Sequence, residues 1–228
     1  MSIPTAEEET AYLWNTLLDV PFFLDQGYTL QLPQHPLMDA LMDKAERVAL
    51  QAEDRNALAQ AMHEDIYARE DYKAAAQKIR SRTPLINTMI SELDAMAKMW
   101  RYQSYPSYKV TLTLYGPGGS FDPDQGSLIL RTTAEGDFAR YPDPACTIIH
   151  EVVHIGIEHA IVRRLSLPHG LKERVVDRIV ALRFGDVLPA YRVQPMGYVG
   201  LDRHLRDADQ LAQLPEVLAE YWGSGVEE

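Results

Sequence analysis

The chain contains almost no cysteine and is poor in positive charge. Cys146 is the single cysteine among 228 residues, so no disulfide can form within the chain. Lysine and arginine number 22 against 33 acidic residues, which gives a formal net charge of -11. A protein with this balance lacks the basic surface that neutralises phosphate groups, so we expect no nucleic-acid partner.

We also expect the chain to lack the segments that direct a protein to or through a membrane. Residues 1–8 have neither the basic nor the apolar region of a signal peptide. We also expect no transmembrane helix, because we identify no stretch with the apolar length that such a helix requires. We therefore expect a cytoplasmic protein with no membrane partner, and export by a signal-independent route stays open.

The most informative segment is the pentapeptide His150-Glu151-Val152-Val153-His154, which lies in an apolar run over 146–157. The run has helical periodicity, and Asp143-Pro144 supplies an N-cap followed by a first-turn proline. Two histidines four residues apart share one side of a helix, so both imidazoles can bind one Zn²⁺ at about 2.0–2.1 Å. Glu151 lies beside them and could deprotonate a water, as in the His-Glu-x-x-His motif of zinc metalloproteases.

A catalytic zinc site needs a third protein ligand. A second helical pattern covers residues 171–180, and Glu173 and Asp177 lie four residues apart on one stripe of it. A carboxylate at 173 could complete the site, and a carboxylate at 177 could hold a ligand histidine through its other ring nitrogen. The sequence leaves three alternatives for the third ligand: His169, Glu158 and His159.

Taken together, these residues resemble the gluzincin metallopeptidases, the thermolysin-like class, in which the first motif is followed by Glu-x-x-x-Asp on a second helix. The resemblance implies zinc as cofactor and a peptide or protein as substrate. It implies the zinc ligands His150, His154 and Glu173. It also implies that Glu151 is the general base and that Asp177 is the hydrogen-bond partner of His150.

Zincins often recruit a side chain from the region after the second helix to stabilise the oxyanion. In this chain the residues of suitable type in that region are Tyr191, Tyr198 and His204. Tyr198 lies in a Pro-Met-Gly-Tyr segment that reads as a loop able to line the cleft. We assign the predicted catalytic role to Tyr198 and His204.

Two short strands are predicted before the first motif, at 108–115 and at 127–131. The first alternates polar and apolar residues, and a glycine-rich turn follows it. In zincins a strand in this position binds an extended peptide along its edge, so residues 118–123 are the candidate rim of the cleft. We expect an α+β, helix-rich, zincin-like fold with a small antiparallel sheet before the active-site helix.

The N-terminal half reads as helical and contains no chemical motif of its own. We expect a helical accessory region at 1–83 and a metallopeptidase domain at 84–228, or both within one compact unit. Thr83-Pro84 is predicted to begin the last helix of this half. The expected function is zinc-dependent peptide hydrolysis; the alternative is a non-proteolytic, zincin-like metal-binding protein that regulates or binds a partner. The sequence indicates no oligomeric state.

Overall fold

A computed structural model describes residues 1–195 and 197–225. It is helix-rich with one small sheet, which confirms the α+β class. The helices, in chain order, are α1 (Ala6–Leu18), α2 (Val20–Asp25), α3 (Leu37–Glu46), α4 (Ala52–Ala61), α5 (Lys73–Trp100), α6 (Pro144–Ile157), α7 (His169–Phe184), α8 (Ala208–Ala212) and α9 (Leu214–Gly223). The strands are β1 (Lys109–Thr113), β2 (Gly119–Asp122) and β3 (Ser127–Arg131). Short 3₁₀ segments cover Arg69–Tyr72 and Val199–Arg203, and π-helical turns cover Met62–Ile66 and Glu158–Arg163.

The chain divides into two compact units. Unit 1 consists of residues 1–80, 110–119 and 129–140, and unit 2 of residues 81–109, 120–128 and 141 onward. The division at 80/81 falls within α5, and the domain bounds 1–83 and 84–228 stay a prediction. Each of the three strands contains residues of both units.

The prediction that a helix begins at Thr83-Pro84 is wrong. The helix α5 has already run since Lys73, and Pro84 lies inside it. Proline removes one backbone hydrogen bond from a helix interior. The helix continues because its buried stripe does not stop at the proline, and burial of apolar side chains offsets the local loss. That stripe is formed by Ala76, Ile79, Ile86, Met89 and Leu93.

The interior of unit 1 is formed mainly by α1, α3 and α4. Leu13 and Leu17 of α1, Leu41 of α3 and Leu58 of α4 lie in one core cluster with Met62, which follows α4. The predicted helical character of the N-terminal half is therefore confirmed, and its hydrophobic residues serve packing.

One charged side chain, Glu9, is buried in unit 1. Its Oε1 atom accepts hydrogen bonds from the Tyr72 hydroxyl, the Thr113 hydroxyl and the Leu114 backbone N–H, each at 2.9 Å. Burial raises the pKa of Glu9, and the three hydrogen bonds act in the opposite direction. The carboxyl group therefore joins α1 to the end of β1 through one oxygen atom.

We expect Glu9→Ala to lower the free energy of unfolding by about 3 kcal/mol, because two buried hydroxyl groups and the part-buried Leu114 N–H lose their acceptor. Glu9→Gln keeps the acceptor oxygen and should cost far less. Because the folded-state pKa of Glu9 is raised, its contribution to stability is complete below the unfolded pKa of 4.5 and declines as pH rises through the folded pKa. Urea unfolding across that range should show that the free energy of unfolding of Glu9→Gln increases relative to that of the wild type as the pH rises. Equal losses for the two variants at every pH would contradict this role for Glu9.

The sheet has the strand order β1-β3-β2. Its backbone bonds run from Lys109 N–H to Gly126 C=O at one end of β1 and from Thr132 N–H to Thr113 C=O at the other. Residue numbers rise together along both strands, so β1 and β3 are parallel. On the other side of β1, Ser2 forms a parallel bridge to Thr111.

The strands β2 and β3 form an antiparallel hairpin, joined by a bond from Arg131 N–H to Gly118 C=O. The sheet is therefore mixed, and the prediction that it is antiparallel is wrong for β1. The chain reverses once before β2 and again at 123–126, so β3 regains the direction of β1. The sequence shows both turns but not that β3 inserts between the two earlier strands.

Helix α6 begins where the sequence predicts. The Asp143 carboxylate accepts from the Ala145 N–H, and Pro144 occupies the first turn. Near the other end, Gly156 is needed because the ring of Tyr102 lies against the helix, and a Cβ atom at 156 would stand 1.9 Å from Tyr102 Cε2. The Tyr102 hydroxyl also donates to the Val152 carbonyl at 2.9 Å. These contacts fix α6 within unit 2.

The segment Pro144–Arg163 has the length and mean hydropathy of a membrane-spanning helix, contrary to the expectation from the sequence. However, 78% of its most apolar window is buried inside the protein. The core helix of a soluble protein passes the same test, so this segment is weak evidence for a membrane. The predicted cytoplasmic location stays a prediction.

Candidate metal centre

Three side chains from α6 and α7 meet in unit 2: His150, His154 and Glu173, here called the ligand cluster. The two imidazole Nε2 atoms are 3.1 Å apart. Glu173 places Oε2 3.4 Å from Nε2 of His150 and Oε1 3.3 Å from Nε2 of His154. Ligand atoms at zinc-bond lengths around a tetrahedral ion lie about 3.3–3.4 Å apart, so the cluster fits one metal ion.

This geometry follows from helical spacing. Residues 150 and 154 lie on successive turns of α6, and their rings meet edge-on with centroids 4.7 Å apart. Glu173 lies in the first half of α7, the helix that packs against α6. The resemblance implied these three residues as ligands, and the structure brings all three together.

The electrostatics of the ligand cluster favour neutral imidazole at His154 and a charged carboxylate. Burial lowers the pKa of His154 to about 4, although Glu173 acts in the opposite direction. Burial alone would raise the pKa of Glu173, but His154 and His150 hold it well below its usual range. For His150, burial lowers the pKa, and Glu173, Glu151 and Asp177 together raise it on balance. Neutral imidazole and ionised carboxylate are the forms that bind metal ions.

The other ring nitrogen of His150 lies next to Tyr191. Its Nδ1 is 2.7 Å from the Tyr191 hydroxyl oxygen, and that hydroxyl donates to Oδ1 of Asp177 at 2.6 Å. Asp177 is fully buried and lies 3.5 Å from Nδ1 of His150. The predicted link between Asp177 and His150 is thus made mainly through Tyr191, which we had predicted only as a candidate near the oxyanion.

Gln194 contacts both carboxylates and was not found from the sequence. Its backbone N–H donates to Oδ2 of Asp177 at 2.6 Å, and its side-chain amide donates to Oε2 of Glu173 at 3.2 Å. The backbone carbonyl of Gln194 accepts a hydrogen bond from Arg174 Nη1 at 2.7 Å. Arg174 in turn donates two bonds to the carboxylate of Asp202, at 2.8 and 2.5 Å.

The side of the cluster at His154 is covered by an aromatic ring. Phe121, on β2, stacks on His154 with centroids 4.8 Å apart and an interplanar angle of 8°. The ammonium group of Lys172 lies 5.4 Å from the Phe121 ring centroid and 4.0 Å from Oε1 of Glu173. Residue 121 belongs to the segment predicted as the rim of the cleft.

Glu151 is buried on α6 between the two histidines, as the motif requires. Its negative charge is one of the influences that raise the pKa of His150. Tyr198 is buried with its ring edge-on to Trp222, at a centroid distance of 5.9 Å. His204 is exposed and packs against Tyr221. The catalytic roles predicted for these last two residues stay predictions.

The alternative third ligands occupy other positions. His169 lies one turn before Glu173, with its Nδ1 3.9 Å from Oε1 of that residue. Glu158 is engaged in an ion pair within the π-helical turn that follows α6. His159 pairs with Asp124 at 2.9 Å. Within residues 1–195 and 197–225, the ligand cluster is the one group of three such side chains close enough to share a metal ion.

No protein-family model matches the chain, no curated protein matches it, and no solved structure matches it.

Proposed function

We propose that the protein is a zinc-dependent metallopeptidase with a zincin-like fold. The observation that carries the proposal is the ligand cluster with Glu151 on the same helix as two of its members. Two imidazoles and one carboxylate are the protein ligands of a common type of catalytic zinc site, which leaves a fourth position for water or substrate. The donor distances in this chain suit that ion.

A bound Zn²⁺ would supply Lewis-acid polarisation of the scissile carbonyl and a lowered pKa for an attacking water. His150, His154 and Glu173 would hold the ion. The Glu151 carboxylate accepts the proton that the water loses as its oxygen bonds to the carbonyl carbon. As the carbon–nitrogen bond breaks, Glu151 delivers that proton to the leaving amine, so the two steps balance.

The strand β2 supports a peptide as substrate. It lies at one side of the sheet order β1-β3-β2, and its Phe121 stacks on a member of the ligand cluster. An edge strand can bind an extended chain through backbone hydrogen bonds. An extended peptide aligned on β2 would run past the proposed metal position.

One observation favours the second candidate, a metal-binding protein that regulates or binds a partner without proteolysis. Both imidazoles of the ligand cluster are almost fully buried, with 4% and 2% of their surfaces exposed. Such burial limits access of a substrate to the metal position, whereas a catalytic site needs its fourth position open to water or substrate.

The deciding experiment uses the full chain purified without added metal. We expect about one zinc per chain by elemental analysis, together with hydrolysis of an unfolded protein substrate. A chelator should abolish the hydrolysis, and added Zn²⁺ should restore it. Bound zinc without cleavage of any member of a diverse peptide library would favour the second candidate. Absence of both zinc and cleavage would reject both.

A further inference from the structure

The segment from Tyr191 to Gln194 lies outside both motif-bearing helices, yet it contacts residues of each. Tyr191 reaches His150 on α6, and both Tyr191 and Gln194 reach Asp177 on α7. Gln194 also reaches Glu173. One short stretch of chain therefore touches two of the three members of the ligand cluster.

The contact at Tyr191 has a defined direction. Asp177 is a carboxylate and accepts only, so the Tyr191 hydroxyl donates its proton to Asp177. The hydroxyl oxygen is then left to accept from His150, which requires the proton of the neutral imidazole to be on Nδ1. The lone pair of His150 is thereby placed on Nε2, the atom that faces His154 and Glu173.

The contact at Gln194 acts on the carboxylate ligand. Its amide donates to Oε2 of Glu173, the oxygen that lies nearer His150. That bond limits rotation of the carboxylate, so that Oε1 stays directed toward His154. The backbone carbonyl of Gln194 accepts a hydrogen bond from Arg174, which also pairs with Asp202. These bonds fix the end of the segment.

We propose that Tyr191 and Gln194 are positioning residues for the metal: Tyr191 fixes the tautomer of His150, and Gln194 fixes the orientation of Glu173. The proposal rests on the metal site of the proposed function, but it does not require that peptides be cleaved. Tyr191 also transmits the negative charge of Asp177 to His150, because the direct separation of 3.5 Å is long for a hydrogen bond.

The first measurement is zinc affinity, with Zn²⁺ alone competed against a chromophoric chelator. Partners of metal ligands typically contribute about 10–100-fold in affinity, so Tyr191→Phe should weaken zinc binding within that range. Gln194→Leu should weaken it several-fold. If Tyr191 connects Asp177 to His150, the Tyr191→Phe/Asp177→Asn double variant should lose less than the product of the two single losses.

The second measurement is the tautomer of His150 in metal-free protein, read from its imidazole ¹⁵N shifts at a pH where the ring is neutral. The wild type should show the Nδ1–H form, and Tyr191→Phe should show a mixture of forms. This result does not depend on activity, so it separates failure of the positioning role from failure of the peptidase proposal.

Tyr102→Phe is the matched control, because it removes another buried hydroxyl that bonds α6 but touches no member of the ligand cluster. Its zinc affinity and its His150 tautomer should equal those of the wild type. Wild-type affinity and tautomer in Tyr191→Phe would overturn the proposal, as would an Nε2–H form in the wild-type protein. A wild-type chain that binds no zinc would overturn it as well.

Discussion

Substituting His150 by alanine should remove stoichiometric zinc from the protein. The substitution deletes one of the three proposed ligands, and the remaining imidazole and carboxylate offer too few donors to hold the ion through purification. It also leaves the buried pair of Tyr191 and Asp177 without the imidazole that they contact. Elemental analysis after gel filtration should find well under a tenth of the wild-type zinc. Loss of a residue that only hydrogen-bonds a metal ligand already lowers metal affinity about 10–100-fold, and loss of a ligand itself should lower it further.

The control for this variant is His63→Ala, which removes an exposed histidine from the π-helical turn of unit 1. It should keep the full zinc content. Glu173→Gln and His169→Ala then distinguish the predicted third ligand from its neighbour, since the first should lose zinc and the second should retain it. A His150→Ala protein that retains one zinc per chain would place the metal elsewhere.

Replacing Glu151 with glutamine should abolish peptide hydrolysis while the protein still binds zinc. The glutamine side chain is almost the same size, so the buried position in α6 is preserved. An amide cannot accept the proton of the attacking water at neutral pH. General-base catalysis contributes about 10²–10⁴-fold, so kcat should fall at least by that factor.

The matched substitution is Glu92→Gln, which changes a partly exposed glutamate that pairs with Arg183 on the surface of unit 2. We expect its kcat and zinc content to equal those of the wild type. Loss of zinc from Glu151→Gln would show that Glu151 acts as a ligand or supports the fold. Unchanged kcat with zinc retained would end its assignment as general base.

The pairing of His150 with His154 could be predicted because helical geometry determines it, whereas Glu173 as the third member rested on the resemblance to gluzincins. A spacing of four residues brings side chains to one side of a helix, and the Asp143-Pro144 start gave the position of α6. The stripe at 173 and 177 likewise indicated which side of α7 faces the site. These are short-range features, and each is encoded within one helical segment.

The parts that could not be predicted depend on contacts distant in sequence. Tyr191 interposes between His150 and Asp177, and it comes from an irregular segment after α7 whose path no periodicity reveals. The parallel pairing of β1 with β3 likewise depends on which strands become neighbours. The helix start predicted at Pro84 is wrong because the apolar side chains on both sides of the proline are buried in one continuous helix. The stabilisation from that burial exceeds the cost of a proline inside the helix.

The alternation of charge along α7 has an evolutionary consequence. Glu173 and Asp177 face His150 on α6, and the residue after each, Arg174 and Arg178, donates to the segment around 202–205. A single insertion between 174 and 177 would rotate Asp177 and Arg178 by about 100° relative to Glu173 and Arg174, so the two members of each pair would no longer face the same side. Homologous chains should therefore vary in length between α6 and α7, at residues 164–168, while the pattern Glu-Arg-x-x-Asp-Arg is inherited without gaps.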